Sequence, residues 1–150
     1  MTAQEEFTLD GARAAAERDE LAEWVRRFLS SDGSDNSALA HDLSQRMKWW
    51  TGPVQLPLNR LKRLAGPPDA PVLCPVDEDE WPDYVEDMAE KAKDGWEPPP
   101  VIVAYNDDGF VLEDGNHRVE GLRRARADQA WAVIGFERPE DLERFNASKA

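Results

Sequence analysis

The spacing of apolar and charged residues divides the N-terminal third of the chain into two predicted helices. Apolar residues recur at helical intervals between residues 21 and 29 and charged residues occupy the opposite face, which predicts a first helix over 10–30. The stretch 31–37 is rich in serine, aspartate and glycine and is typical of a turn. Apolar residues at four-residue intervals then predict a second helix from a cap at Ser37 to about Trp50.

The next segment, 51–71, interrupts this pattern with prolines and glycines. A short strand and a single helical turn both remain open for it. The segment is locally basic through Arg60, Lys62 and Arg63, which we interpret as a solvated patch that offsets an acidic surface. The apolar run "VLCPV" that follows predicts a short buried strand.

The C-terminal half alternates between helix and strand patterns. An acidic first turn precedes an apolar stripe, which predicts a helix whose stripe belongs to the core: Trp81, Tyr84, Val85, Met88 and Ala92. The prolines at 98–100 end that helix, and "VIVAY" and "FVLED" around a turn predict a β-hairpin. A further helix, the strand "AWAVIGFE" and a short helix with Pro139 in its first turn complete the order.

Composition predicts one globular domain in the cytoplasm. The chain has 150 residues, 41% of them hydrophobic, with six tryptophans, which is enough for a core without covalent staples. It has neither a basic, apolar leader nor eighteen consecutive apolar residues, so no membrane association is expected. The single cysteine, Cys74, excludes an intrachain disulfide and is interpreted as a small buried side chain. A net charge of −13 disfavours non-specific nucleic-acid binding.

The segment "VLEDGNHRVEGLRRA" carries the candidate chemistry. A strand that ends here and turns at once into a helix leaves the first helical amides without backbone partners, and anions satisfy such groups. Gly115 lets the chain turn and lets a ligand approach the backbone, Asn116 supplies a cap, and His117 and Arg118 add donors. These four residues therefore form a candidate anion site.

A purely structural interpretation of the same turn stays open. In that case Asp114 or Asn116 caps the helix, His117 packs against the hairpin, and Arg118 pairs with a nearby carboxylate such as Glu120. The other histidine, His41, is interpreted as a surface residue rather than a ligand.

The sequence resembles the ParB/sulfiredoxin-like superfamily. The similarity rests on "PPPVIVAYNDDGFVLEDGNHRVEGLRRA" and "WAVIGF" and covers about residues 72–137, with a hairpin, a G-x-H-R turn, a helix and a return strand. In that superfamily the turn holds nucleotide phosphates: sulfiredoxins use ATP, ParB proteins use CTP and free-serine kinases use ADP. The resemblance implies an α+β fold with a small mixed sheet and flanking helices. It also implies that Gly115, Asn116, His117 and Arg118 bind nucleotide phosphates, in a turn nearest to the free-serine kinase-like branch.

Three features of this sequence depart from the superfamily pattern and limit the activities that the resemblance implies. Sulfiredoxins place a reactive cysteine where this chain has Asn116, which cannot form a thiolate. Only thirteen residues follow Glu137, so we expect no ParB-type DNA reader and no direct DNA binding. The helix before the prolines lacks serine and threonine and is acidic, which disfavours phosphate there unless a divalent cation intervenes.

We therefore expect a ParB/sulfiredoxin-like domain over 53–150, preceded by a helical N-terminal extension over 1–52 that packs on it. That extension either covers the sheet or binds a protein partner. The expected function is binding of a nucleotide or small phosphorylated ligand, with ATP, ADP or CTP and Mg²⁺ as candidates, in a phosphotransferase or nucleotide hydrolase that acts through the DGNHR turn. The alternative is a non-catalytic ligand-sensing or protein-interaction module.

An enzyme of that kind needs groups that place phosphates and a base. Arg118 and the helix amides would hold the phosphates while a carboxylate removes a proton from an acceptor hydroxyl. Asp77, Glu78 and Asp114 are the candidate bases, and Asp114 is also placed to bind magnesium beside a phosphate. The predicted catalytic residues are Asp114, His117 and Glu78.

Overall fold

The computed structural model describes residues 7–31, 36–63, 65–66, 74–75, 81, 83–95 and 98–148. The helices in this part are α1 (Leu9–Glu17), α2 (Leu21–Ser30), α3 (Ser37–Arg46), α4 (Asp83–Lys93), α5 (Asn116–Arg124) and α6 (Pro139–Ser148). The strands are β1 (Trp49–Pro57), β2 (Leu61–Lys62), β3 (Ala65–Gly66), β4 (Cys74–Pro75), β5 (Val101–Asn106), β6 (Gly109–Asp114) and β7 (Gln129–Phe136).

Five of the strands form one mixed sheet in the order β1-β7-β5-β6-β2. The pairs β5–β7 and β2–β6 are parallel, whereas β1–β7 and β5–β6 are antiparallel. Strands β3 and β4 form a separate parallel pair. The α+β class with a mixed sheet and flanking helices, predicted through the resemblance, is confirmed.

The central strands β5 and β7 are buried on both faces, which explains their unbroken apolar sequences. Because neighbouring side chains point to opposite faces, Ile102, Ala104 and Val133 join one core cluster. Val101 and Ile134 belong to the other, together with residues of α5 and α6. The helices therefore sandwich the sheet.

The N-terminal helices α1, α2 and α3 cover one face of the sheet. Trp24, Leu29 and Leu43 are at most 2% exposed there, and burial of such side chains contributes about 1.5–3 kcal/mol each. Strand β1 continues the chain from these helices and pairs with β7 through residues on both sides of position 52. The division of the chain into 1–52 and 53–150 stays a prediction.

The prediction of one continuous helix over 10–30 is wrong, because the structure has two helices there, α1 and α2. Helix α1 begins behind Thr8, whose Oγ1 accepts a hydrogen bond from the Gly11 amide at 3.0 Å. The chain then leaves the helix before α2 begins, because Asp19 has a φ of 59°, in the left-handed region. The apolar stripe of α2 lies in the core as predicted.

The second predicted helix, α3, begins at Ser37, the residue predicted as its cap, and ends before the predicted end near Trp50. Its cap is Asn36 rather than Ser37, since Asn36 Oδ1 accepts from the Leu39 amide at 3.3 Å. The helix ends at Arg46, because Trp49 already belongs to β1.

Most of the remaining predictions agree with the structure. The sequence leaves both a short strand and a single helical turn open for 51–71, and the structure has both. Strand β1 runs to Pro57, and a single 3₁₀ turn follows at Leu58–Arg60. The hairpin β5–β6, helix α5, strand β7 and helix α6 are confirmed. The predicted burial of the Cys74 side chain lies outside the described part of the chain. Among the helices described, none has the length and apolar character needed to span a membrane.

Candidate functional site at the start of helix α5

Gly115 forms the turn between β6 and α5 and is the N-cap of that helix, with a φ of 110°. L-residues with a side chain rarely adopt this conformation. Space is also restricted, since a Cβ atom here would lie 2.6 Å from Val101 Cγ1. The turn therefore needs glycine both for its backbone conformation and for its packing against β5.

Arg118 lies one turn into α5 and its side chain is only 11% exposed. Its Nη2 donates to Asp114 Oδ2 at 2.8 Å, and its Nη1 donates to the carbonyl oxygens of Pro99 and Pro100 at 3.4 and 3.3 Å. The guanidinium carbon lies 5.1 Å from the ring centroid of Phe28 in α2. Burial lowers the pKa of Arg118, and the Asp114 carboxylate opposes that shift. Its hydrogen bonds thus join the turn to the proline segment, and its contact with Phe28 joins both to the N-terminal helix α2.

Asn116 does not cap the helix, and that prediction is wrong. Its Oδ1 instead accepts a hydrogen bond from Arg63 Nε at 2.7 Å, and its backbone oxygen lies 3.5 Å from Arg63 Nη2. The Arg63 side chain is 8% exposed, so it is not part of a solvated patch, whereas its neighbours Arg60 and Lys62 are exposed. Burial lowers the pKa of Arg63, and Glu120 opposes the shift.

Glu120 anchors the arginine that holds Asn116. The Glu120 side chain is fully buried and accepts from Arg63 Nη2 at 3.3 Å, Arg123 Nη2 at 2.7 Å and Arg124 Nε at 3.1 Å. Burial alone would raise its pKa, but the hydrogen bonds and charges of these arginines outweigh burial and lower it. The suggested Arg118–Glu120 pair is therefore absent among these residues. Arg118 pairs with Asp114, and Glu120 pairs with the three other arginines.

His117 is exposed, and its ring contacts two aromatic side chains, Trp81 just before α4 and Tyr84 in the first turn of α4. Its Nδ1 is 2.7 Å from the Tyr84 hydroxyl oxygen. The rings of Trp81 and Tyr84 contact it edge-on, at centroid distances of 5.6 and 5.2 Å. Burial lowers the pKa of His117, although Asp114 acts in the opposite direction. Neutral imidazole is therefore favoured more than in a free histidine.

The start of α5 presents backbone amides that no side chain of the described residues caps. Near it, Trp81 Nε1 is buried and has no hydrogen-bond partner among the described residues. The Trp81 ring contacts His117, and the Arg63 guanidinium carbon lies 5.8 Å from its centroid. A buried donor without an acceptor is unfavourable by about 1–3 kcal/mol. Chemically, this surface suits an anion or another ligand that supplies acceptors.

The structure brings together five of the predicted site residues, 114–118, because they are consecutive. Glu78 and the alternative base Asp77 lie outside the described residues, and the binding and catalytic roles stay predictions. His41 is exposed, as predicted. Over the described ranges, no group of three or more histidine, cysteine or acidic side chains is placed to hold a metal ion.

Sequence reasoning missed Arg63 and misjudged Tyr84. Tyr84 is predicted to lie in the core but is 46% exposed, because the hydroxyl turns toward His117. The three-residue spacing of Trp81 and Tyr84 placed them on one predicted helix face. No local sequence pattern indicated that this face contacts His117. Arg63 contacts Asn116 from 53 positions away, which no spacing rule reveals.

Comparison with known proteins finds a likeness in fold alone. The chain matches no family model and no curated protein. Solved structures that match include the C-terminally truncated chromosome-partitioning protein ParB from Caulobacter crescentus complexed to the centromeric parS site, with 13% identity over 64% of this chain and 46% of that chain and a TM-score of 0.41. The same protein complexed with CTP-γ-S matches with 20% identity over 65% and 50%, at a TM-score of 0.38.

A mutant free serine kinase in complex with AMP also matches, with 23% identity over 54% of this chain and 30% of that chain and a TM-score of 0.37. These matches span half of the solved chains or less.

Proposed function

We propose that this protein binds a nucleotide or another phosphate-bearing anion at the start of α5. One observation carries the proposal: in the part of the chain that the structure describes, the start of α5 has no side-chain cap, and the buried indole N–H of nearby Trp81 has no acceptor. Ionised phosphate oxygens are strong hydrogen-bond acceptors, so they would satisfy the helix amides and Trp81 Nε1 together. The helix dipole adds about 0.3–1 kcal/mol to the attraction of an anion at an exposed helix start.

The backbone of residues 115–118 supplies most donors in this proposal. The Arg118 side chain is not the main phosphate ligand, because Asp114 and two carbonyl oxygens already accept its hydrogen bonds. His117 is exposed and adds a donor from its free edge. Arg63 contributes positive charge through its contact with Asn116. Arg118 then shapes the site by fixing the turn.

Phosphoryl transfer or nucleotide hydrolysis is the narrower form of the proposal. It requires a base, and Asp114 could act as one only after leaving Arg118 Nη2, 2.8 Å away. The same pairing opposes coordination of Mg²⁺ by Asp114, so a cation that accompanies ATP, ADP or CTP would be held chiefly by phosphate oxygens. Glu78 stays the alternative base.

A non-catalytic interaction module is the second candidate function. It is favoured by the contact between Arg118 and Phe28, which ties the turn to α2 through the protein's own side chains. In that case the donor-rich surface would receive an acidic group from a protein partner rather than a free nucleotide.

Calorimetric titration with ATP, ADP, CTP and inorganic phosphate, each with and without Mg²⁺, tests the proposal. Trp81→Phe keeps an aromatic ring but removes the orphan N–H, so we expect phosphate-ligand affinity to fall about threefold to tenfold. Trp131→Phe on β7 is the matched control and should leave affinity unchanged. A wild-type protein indifferent to all four ligands would reject nucleotide and phosphate binding.

Turnover is tested separately by ³¹P NMR. Wild-type protein is incubated with ATP or CTP and Mg²⁺, with free serine and other small alcohols as acceptors. New phosphomonoester or inorganic phosphate signals that disappear with Asp114→Asn would support catalysis. Tight binding without new signals would assign a sensing role to the same site.

A further inference from the structure

The contact between Tyr84 and His117 has consequences for the chemistry of the imidazole. Tyr84 is one of two large hydrophobic side chains that are strongly exposed in the described part of the chain, at 46%. Its hydroxyl oxygen lies 2.7 Å from His117 Nδ1, a distance typical of an O–H···N hydrogen bond. Trp81 packs on the same imidazole from another direction. The ring is therefore held by one polar and two aromatic contacts.

A neutral imidazole has one protonated and one unprotonated nitrogen, and the partner of one nitrogen decides the state of the other. A phenol hydroxyl has a proton to donate, and the exposed Tyr84 oxygen can obtain its remaining hydrogen bonds from water. Donation from Tyr84 requires an unprotonated Nδ1, which places the imidazole proton on Nε2. Nε2 has no hydrogen-bond partner within the described ranges, so it is available to a ligand.

We propose that Tyr84 is a positioning residue that holds His117 in the tautomer with its proton on Nε2, so that the imidazole offers the ligand a hydrogen-bond donor. The identity of the ligand rests on the proposed function, but the tautomer does not. An Nε2–H donor favours an oxyanion over a ligand that presents its own donor. It also disfavours a metal ion at Nε2, because metal binding needs the lone pair.

Long-range ¹H–¹⁵N NMR of the imidazole rings tests the tautomer directly. The chain has only two histidines, so His41→Gln assigns the His117 signals. The measurement is made about one unit above the ordinary histidine pKa of about 6.5, where the ring is neutral. We expect Nδ1 to resonate as an unprotonated nitrogen and Nε2 as a protonated one.

Tyr84→Phe removes the donor and keeps the ring, so the nitrogen shifts should move toward a mixture of tautomers. Tyr105→Phe is the matched control, because Tyr105 is the other tyrosine and bonds with Arg144 rather than a histidine. It should leave the His117 signals unchanged. A protonated Nδ1 in the wild type, or an unchanged tautomer in Tyr84→Phe, would overturn the proposal.

Titration with inorganic phosphate and ADP tests the role of the donor. Affinity should fall about twofold to tenfold in Tyr84→Phe and stay unchanged in Tyr105→Phe. Equal affinities of wild type and Tyr84→Phe would overturn the ligand half of the proposal. If the wild type binds neither phosphate nor ADP, that half is rejected together with the proposed function, and the nitrogen shifts alone decide the tautomer.

Discussion

Helices α3 and α5 both begin beside an asparagine, yet only one of them is capped. Asn36 precedes α3, and its Oδ1 accepts from the Leu39 amide. Asn116 is the first residue of α5, behind Gly115, and its Oδ1 accepts from Arg63 instead. An asparagine caps from outside the helix, where its side chain can reach the third residue onward. A shift of one position therefore leaves the start of α5 open to a ligand.

The open helix start is held in place by charge rather than by a cap. Arg63 links Asn116 to the buried Glu120, and Arg118 links the turn to Asp114. Within the described residues, the start of α3 shows one neutral capping hydrogen bond and no charge network. We therefore expect substitutions at α5 to have larger effects on stability than the loss of the α3 cap.

The largest effect is expected from Glu120→Gln, which leaves Arg63, Arg123 and Arg124 without their shared carboxylate. Breaking a buried ion pair from one side lowers stability by about 3–5 kcal/mol. The pKa of Glu120 is lower in the folded state, so its stabilising effect is complete above the ordinary value of 4.5 and is lost as the pH falls through the folded pKa. Urea unfolding should show the gap between wild type and variant narrowing below about pH 4.5.

Asp141→Asn provides the matched control for the buried carboxylate. Asp141 is also buried and pairs with Arg138 and Arg144, but those side chains are 48% and 42% exposed. Water can solvate them when the carboxylate is removed, so we expect a smaller loss of about 1–3 kcal/mol. Equal losses at both sites would contradict the view that buried arginines make the α5 cluster distinct.

Gly115→Ala is expected to lower stability by about 2–4 kcal/mol, because strain from a positive φ adds to a close contact with Val101. Gly109→Ala separates the two causes, since Gly109 has a φ of 96° but open space around its Cα. Thermal unfolding should show a clearly smaller loss for Gly109→Ala. Equal losses of stability in the two variants would show that the contact with Val101 does not restrict the residue at position 115.

Arg118→Ala should lower stability by about 1.5–3 kcal/mol, through the loss of a charged hydrogen bond and two bonds to carbonyl oxygens. Chemical denaturation measures this effect in the absence of any ligand. Arg46→Ala is a control in which the arginine is about one third exposed and pairs with Asp42, Glu113 and Glu137. A stability of Arg118→Ala equal to that of the wild type would return this side chain to the candidate phosphate ligands.

Asn36→Ala is the smallest of these changes, at about 1 kcal/mol, because it removes one neutral capping bond. Asn36→Ser keeps a capping oxygen and should recover most of the loss. Circular dichroism during thermal unfolding measures both variants. Neither should alter phosphate affinity, and a change in affinity would show that the two helix starts are coupled.

The elements of this fold could be predicted where local signals determine them. The hairpin, α5 and α6 follow from the Asp108–Gly109 turn, the Gly115 turn and Pro139, each of which restricts the backbone by itself. The break between α1 and α2 was missed because residues 12–30 contain no glycine or proline, and the left-handed conformation falls on Asp19. Pattern alone does not show where tertiary packing bends a chain.

The site was predictable only where its contacts are local. Pairing of Arg118 with a nearby carboxylate was one of the predictions, but its partner is Asp114, four positions earlier at the end of β6, rather than Glu120. The contacts of Arg63 with Asn116 and of Tyr84 with His117 join residues 53 and 33 positions apart. They depend on how the sheet and α4 place these segments, and a single sequence carries no record of that placement.

Burial of the sheet on both faces also limits the tendency of the protein to aggregate. A chain that began at residue 53 would keep only part of β1, so Ile134–Phe136 at the end of β7 would lose their partners in β1. With pairing left only toward β5, this end of β7 would become an open edge of the sheet. The same truncation would expose the apolar face formed by Ile102 and Val133. Unpaired, apolar edges recruit further strands from other molecules. The N-terminal helices and β1 thus act as a built-in protection against self-association of the sheet.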